Sequence, residues 1–240
     1  MTETKSHDIV MIIDESGSMT MMENEVIQAI NSFIQEQKSI LNDNTTFSLW
    51  KFNNKITHMV DDILLKNVEK FTDFLPHGMT ALMDAIGSAI DIKRSKNNYK
   101  DVICVILTDG LENSSQKYNK PNIVSMIQEM ENYHNWKFVY LGANQDAFSV
   151  GSRYGVNINR CATFDFTPEQ LSRTFLDTSN AIVNFRCASA YNSNADIELK
   201  LPTHSMSAPL TFPTICRTES LTDEVKVRRI IPFRQSSGGD

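Results

Sequence analysis

Asp14, Ser16 and Ser18 alternate along the stretch Ile9-Val10-Met11-Ile12-Ile13-Asp14-Glu15-Ser16-Gly17-Ser18-Met19. Gly17, between the two serines, permits a turn closed to other residues, so one carboxylate and two hydroxyls can come to one side. Oxygen-only donors select hard cations such as Mg²⁺ or Ca²⁺, and the lack of His and Cys in the set argues against zinc. Two further oxygens stand at comparable junctions: Thr80, just before an apolar helical stripe, and Asp109, at the end of an apolar run. Two carboxylates would come close to balancing a dication. A plainer reading makes Ser18 and Thr80 helix N-caps and Asp109-Gly110 an ordinary turn. Three such coincidences at three strand-to-helix junctions favour the cation.

The elements needed to position these residues are legible in the pattern. Ile9 to Ile13 reads as a strand buried on both faces, as in a parallel sheet. Its polar continuation falls at the strand's carboxyl end, where open α/β sheets bind ligands. Residues from Met22 to about Leu41 have helical spacing in Val26, Ile30, Phe33 and Ile34. Thr45 to Phe52 and Ile56 to Val60 form a hairpin at a sheet edge, turning at Asn53-Asn54. A short helix is expected over Lys66 to Phe74 and another from Ala81 to about Arg94. Asp101 to Thr108 is a further buried strand, ending in Thr108-Asp109-Gly110. Helix from Asn122 to about His134, strand from Lys137 to Leu141, helix from Asp146 to Tyr154, strand from Arg160 to Phe164 and helix from Pro168 to about Ala190 complete the alternation. The pattern predicts an α/β fold: a Rossmann-like three-layer sandwich with a mostly parallel central sheet, one antiparallel edge strand and helices on both faces.

The chain has 240 residues, enough for one domain with an appendage. Its 41% apolar and 22% charged residues are those of a soluble globular protein. A net charge of −6 argues against nucleic acid or an anionic membrane as the main partner. No apolar run is long enough to span a bilayer, and Met1 to Asp8 lacks the apolar core of a signal peptide. Cys104, Cys161, Cys187 and Cys216 show no metal-ligand spacing. A cytoplasmic or other intracellular setting, within a viral or multiprotein assembly as one option, is the expectation.

Asp14-Glu15-Ser16-Gly17-Ser18 matches the D-x-S-x-S motif of von Willebrand factor type A domains. Thr80 in Gly78-Met79-Thr80-Ala81-Leu82 and Asp109 in Leu107-Thr108-Asp109-Gly110 match the two later parts of that family's metal-ion-dependent adhesion site, in the same order. The resemblance covers about Asp8 to Ala190. Stretches such as Thr108-Asp109-Gly110-Leu111-Glu112-Asn113-Ser114 and Leu141-Gly142-Ala143-Asn144 look like the intracellular, microbial and viral branch. The resemblance implies that Ser16 and Ser18 bind metal directly and that Thr80 does so directly or through water. It implies that Asp14 and Asp109 act mostly through water, and that a partner's Asp or Glu takes the last position. Mg²⁺ is the expected ion, with Mn²⁺ or Ca²⁺ as alternatives.

Asp84, Glu15 and Glu112 are candidates to support the site from behind or to rim it. Asp84 lies one helical turn after Thr80, where a carboxylate is also favoured simply by the helix dipole. Met19, Met21 and Met22 beside the loop suit either a soft contact surface or the core.

The leading function is a metal-dependent protein-interaction module without catalysis. A phosphoryl-transfer enzyme with an aspartyl nucleophile is weakened by Ser16, which stands where such phosphatases want a second Asp. A third reading is a structural subunit anchored by its tail. The domain is set at residues 1–190. Residues 191–240 form a non-helical C-terminal extension, in which Ile197, Leu199 and Leu201 and then Val225 and Val227 alternate like strands. It is read as packed on its own domain or as an arm docking on a partner. Oligomeric state is left open.

Overall fold

The computed structural model describes residues 6–40, 44–96, 101–189, 191–192 and 194–199. Six strands form one sheet: β1 His7–Asp14, β2 Thr46–Phe52, β3 Ile56–Leu64, β4 Asp101–Thr108, β5 Lys137–Ala143 and β6 Cys161–Phe164, in the order β3-β2-β1-β4-β5-β6. All neighbours are parallel except β2 and β3, the expected hairpin, which turns over Asn53–Lys55. Among the described residues, five helices surround the sheet: α1 Glu23–Gln37, α2 Leu82–Ser95, α3 Lys120–Tyr133, α4 Ala147–Arg153 and α5 Pro168–Ser189.

The two-residue period of the central strands divides the core in two. Ile9, Met11 and Ile13 of β1 and Ile103, Val105 and Leu107 of β4 pack on α1 and α5. Val10, Ile12, Val102, Cys104 and Ile106 point the other way, onto α2, α3 and α4. With helices on both faces, every residue of β1 and β4 is buried, which is why their sequences run apolar without alternation. Between α1 and α5, Phe33 meets Phe175 edge-on at 6.4 Å, and Gln37 Nε2 donates to the Ser179 carbonyl at 2.9 Å.

An expected helix is absent. Lys66 to Phe74 is not a helix: a single 3-10 turn at Leu65–Asn67 gives way to irregular chain through Ala81. That chain finds partners on α1 in place of its own turns. Asn31 accepts from Phe71 N at 2.9 Å and donates to the Phe71 carbonyl at 2.8 Å, while Lys38 Nζ donates to the Val68 carbonyl at 2.7 Å. Phe71 and Phe74 are thereby buried without a helix. β3 is longer than expected, running on to Leu64 with a break in register near Asp62, whose φ is +54°.

Past α5, residues 194–199 lie back on the domain. Ile197 is fully buried, Asp196 takes a two-pronged hydrogen bond from Arg160 at 2.6 and 2.9 Å, and Leu199 N donates to the Asn159 carbonyl at 3.0 Å. Ile197 and Leu199, expected in a strand, instead lie in irregular chain; Leu201, Val225 and Val227, and the tail-anchor reading with them, lie outside the described residues.

β1 has β2 on one side and β4 on the other. The connection through α1 runs one way from β1, and the connection through α2 runs back across it. The crevice beyond the carboxyl ends of β1 and β4 is therefore the switch point of the sheet. Asp14 ends β1 and Asp109 directly follows β4.

Candidate metal centre

Three loops converge at the switch point. The loop after β1 continues as a 3-10 turn, Gly17–Met22, leading into α1. It is tied to the loop before α2 by two backbone hydrogen bonds, Gly17 N to the Gly78 carbonyl at 3.1 Å and His77 N to the Glu15 carbonyl at 2.9 Å. The loop before α2 is tied to the loop after β4 by Asn113, whose Oδ1 accepts from Thr80 N at 2.9 Å and whose N donates to the Thr80 carbonyl at 3.0 Å. Gly78 adopts φ +78°, and a Cβ there would collide with the Asn54 Oδ1 that accepts from Met79 N.

The oxygens named from the sequence meet here. Ser16 Oγ and Ser18 Oγ are 3.1 Å apart, and Ser18 Oγ donates to Asp109 Oδ1 at 2.6 Å. Asp14 Oδ1 accepts from Ser16 N at 2.8 Å, and its Oδ2 accepts from Thr108 Oγ1 at 2.6 Å. Thr80 Oγ1 packs against Gly110 so closely that a Cβ on Gly110 would lie 3.0 Å from it and 3.7 Å from Asp14 Oδ2. Gly110 thus leaves open the space that brings the Thr80 hydroxyl toward the Asp14 carboxylate. The capping alternative is not what these hydroxyls do. The residue before the 3-10 turn is Ser16, the one before α2 is Ala81, and neither makes a side-chain cap.

Burial acts on both carboxylates. Asp14 is fully buried and Asp109 partly so. Burial pushes the Asp14 carboxyl up to about 6, against hydrogen bonds from Thr108 and Ser16 that favour the charge, with Asp109 adding repulsion. Burial raises Asp109 as well, against the Ser18 hydrogen bond. Among the described residues, neither carboxylate pairs with a Lys or Arg. No group of three His, Cys, Asp or Glu side chains among them converges on one point, so hydroxyls supply most of the donors. This set of two desolvated carboxylates and three hydroxyls suits a hard dication.

The candidate supporting acids each have specific partners, and Glu15 does not reach a rim. Glu15 is 4% exposed and points inward, where Oε1 takes the Lys51 ammonium at 2.7 Å and Leu75 N at 2.7 Å. Glu112 accepts from Met83 N at 2.9 Å, from Ser114 N at 2.9 Å and from Ser115 N at 2.7 Å, bracing the start of α2 against the loop after β4. Asp84 accepts from the backbone N–H groups of Gln116, Lys117 and Tyr118 at 2.8 to 2.9 Å. It is neither a plain solvated helix residue nor in contact with the donor oxygens; it anchors the same loop further along. Met19 and Met22 are core, whereas Met21 is exposed.

Sequence reasoning gave no role to Thr108, which holds Asp14, or to Asn113, which holds Thr80. Polar residues beside a predicted ligand at a strand end were the available signal. Lys51 carried a clearer one, a lysine on the strand face it shares with Phe47 and Leu49, where a buried charge calls for a carboxylate partner.

The family model for the von Willebrand factor type A domain matches residues 8–153, more than half the chain. The chain belongs to the von Willebrand factor type A family. Solved structures share the fold. The ArnB paralog VWA2 from Sulfolobus acidocaldarius is 19% identical with a TM-score of 0.51, over 74% of this chain and 46% of that one. The pilus adhesin SpaC from Lactobacillus rhamnosus GG gives a TM-score of 0.61 at 13% identity, over 75% of this chain and 30% of that one. The vWF domain of the type V pili tip protein Mfa5 from Porphyromonas gingivalis gives 0.54 at 13% identity, over 75% of this chain and 96% of that domain. This von Willebrand factor type A chain thus spans less than half the length of the first two. No curated protein sequence matches it. Domains of this family commonly mediate protein–protein interaction.

Proposed function

We infer that this von Willebrand factor type A domain is a divalent-metal-dependent protein-binding module, with its metal at a site of the metal-ion-dependent adhesion type. The observation that carries the reading is the convergence of Asp14, Ser16, Ser18, Thr80 and Asp109 around one buried and one partly buried carboxylate that no basic side chain among the described residues neutralises. A bound Mg²⁺ would supply a Lewis-acid position able to take one more carboxylate oxygen, from a partner's Asp or Glu.

The chain's own residues divide the work. Ser16, Ser18 and Thr80 offer neutral oxygens, so a bound dication would keep more of its positive character than in a carboxylate cage and could attract an incoming acid. Thr108 fixes the orientation of Asp14, and Asn113 fixes Thr80. Two features weigh against catalysis. Both Asp14 oxygens are already engaged and the residue is fully buried, so it is poorly placed as a nucleophile. The hydroxyl Ser18 Oγ donates to a carboxylate and has no histidine beside it.

The experiment is affinity capture on the immobilised full chain in Mg²⁺ and in EDTA, read by mass spectrometry, with Asp109→Ala as the control. A partner retained in Mg²⁺ and lost in both EDTA and the variant supports the reading. Capture indifferent to both contradicts it.

A further inference from the structure

Half of the large apolar side chains that stand exposed among the described residues lie on the loops that build the metal centre. They are Met21 (87% exposed), Leu111 (68%), Leu75 (63%) and Met79 (48%). The others are scattered singly over the rest of the surface, as is ordinary for a soluble protein. This clustering is produced by the same geometry that places the donor oxygens. In a 3-10 turn residues three apart share a side. Within Gly17–Met22, Met19 and Met22 therefore turn into the core, while Met21 shares the exposed side with Ser18. Met79 directly precedes Thr80, and Leu111 lies two residues after Asp109. Leu75 is fixed by the Glu15 carboxylate, which accepts its N–H. The hydrogen bonds from Gly17 to Gly78, from Ser18 to Asp109 and between Asn113 and Thr80 hold these segments together.

We propose that Met21, Leu75, Met79 and Leu111 form an apolar collar around the metal centre, and that the collar selects the partner. The occupant is a protein segment in which one Asp or Glu stands between large apolar side chains. The proposal rests on the metal-dependent reading above and adds to it what that reading leaves open, namely which acidic segments bind. A dication held as proposed above would assign the acid to the centre, and burial of the collar assigns the flanking residues. Each large apolar side chain removed from water contributes about tenfold or more in affinity. An acidic segment with polar flanks would reach the ion without that gain. Two of the four positions are methionine, whose unbranched side chain adapts to partners of differing shape.

The test is a library of short random peptides displayed on phage and panned on the immobilised full chain in Mg²⁺ and in EDTA. Three proteins are compared: the parent, the double variant Met21→Gln with Leu111→Gln, and Asp109→Ala, each checked by circular dichroism. The parent in Mg²⁺ is expected to enrich peptides in which Asp or Glu is flanked by Leu, Ile, Met or Phe. The double variant is expected to keep the requirement for an acid, lose the apolar preference, and bind individual enriched peptides at least about tenfold more weakly. Acidic peptides enriched in Mg²⁺ without apolar flanks, or a double variant that binds as the parent does, would overturn the collar alone. Enrichment that survives EDTA and Asp109→Ala would overturn the metal-dependent reading and the acid's assignment with it. Absence of enrichment in either buffer would overturn both.

Discussion

Ser18 Oγ donates to Asp109 Oδ1 at 2.6 Å, joining the loop after β1 to the loop after β4. Two central strands are paired along their length by the sheet, and this contact closes them at their carboxyl ends. It also places a hydroxyl and a partly buried carboxylate side by side with no basic group among the described residues to neutralise the charge.

Replacing Asp109 by Ala removes one of the two raised carboxylates. Without metal, the variant should melt at the parent's temperature or slightly above it, since a charge with a desolvation cost is lost. In millimolar Mg²⁺ the parent should gain several degrees and the variant none, because only the folded parent holds the ion. Thermal melts in Mg²⁺ and in EDTA read both effects.

Asn113→Ala should cost about 1–3 kcal/mol, since it leaves Thr80 N without its side-chain acceptor in a tightly packed loop. Urea unfolding measures the loss. The Mg²⁺-induced gain should shrink in the same variant, because Thr80 is no longer held in place.

Glu15 and Lys51 form a pair in which both side chains are nearly inaccessible. Lys51→Met should cost about 3–5 kcal/mol by leaving the Glu15 charge buried and unpaired. Adding Glu15→Gln should restore part of that, because glutamine can still accept from Leu75 N without a charge. A double-mutant cycle in urea that shows simple additivity would refute the pairing.

At the opposite end of the sheet, Lys93 Nζ is buried against Asp8 Oδ2 at 2.8 Å, Ser48 Oγ at 2.7 Å and the Asp62 carboxylate, while Lys96 also reaches Asp62. Burial pushes the Asp62 carboxyl up, but the hydrogen bonds and charges of Lys93 and Lys96 outweigh it, and the net shift is downward from 3.8. A carboxylate lowered in the folded state stabilises above its unfolded value and loses that contribution as pH falls through the folded one. Asp62→Asn should therefore melt below the parent at pH 7, and the gap should close as pH drops below about 4. Asparagine tolerates the left-handed backbone at this position, so strain does not obscure the comparison.

Much of this was legible because the signals were local. Asp101–Thr108 could be bounded to the residue, since an uninterrupted apolar run ends in Thr-Asp-Gly. Asp14, Ser16, Ser18, Thr80 and Asp109 could be named as a set because each stands at a strand end or a helix start, and the parallel topology carries such positions to one pole. What failed depended on distant partners. The stretch from Lys66 to Phe74 has apolar spacing compatible with a helix, but Asn31 and Lys38 on α1 bind its backbone and hold it open. Glu15 was a candidate for the rim; only Lys51, on another strand, shows why it turns inward. The exposed side of the 3-10 turn, and so the split between Met21 and its two neighbouring methionines, follows from a three-residue period where only a loop was expected.

Calorimetric titration of Mg²⁺ into the metal-stripped full chain at neutral pH tests the central claim most directly. The account predicts saturable binding at one site, abolished by Asp109→Ala and strongly weakened by Ser16→Ala combined with Ser18→Ala. The absence of saturable binding in the parent, or binding unchanged in both variants, would contradict it.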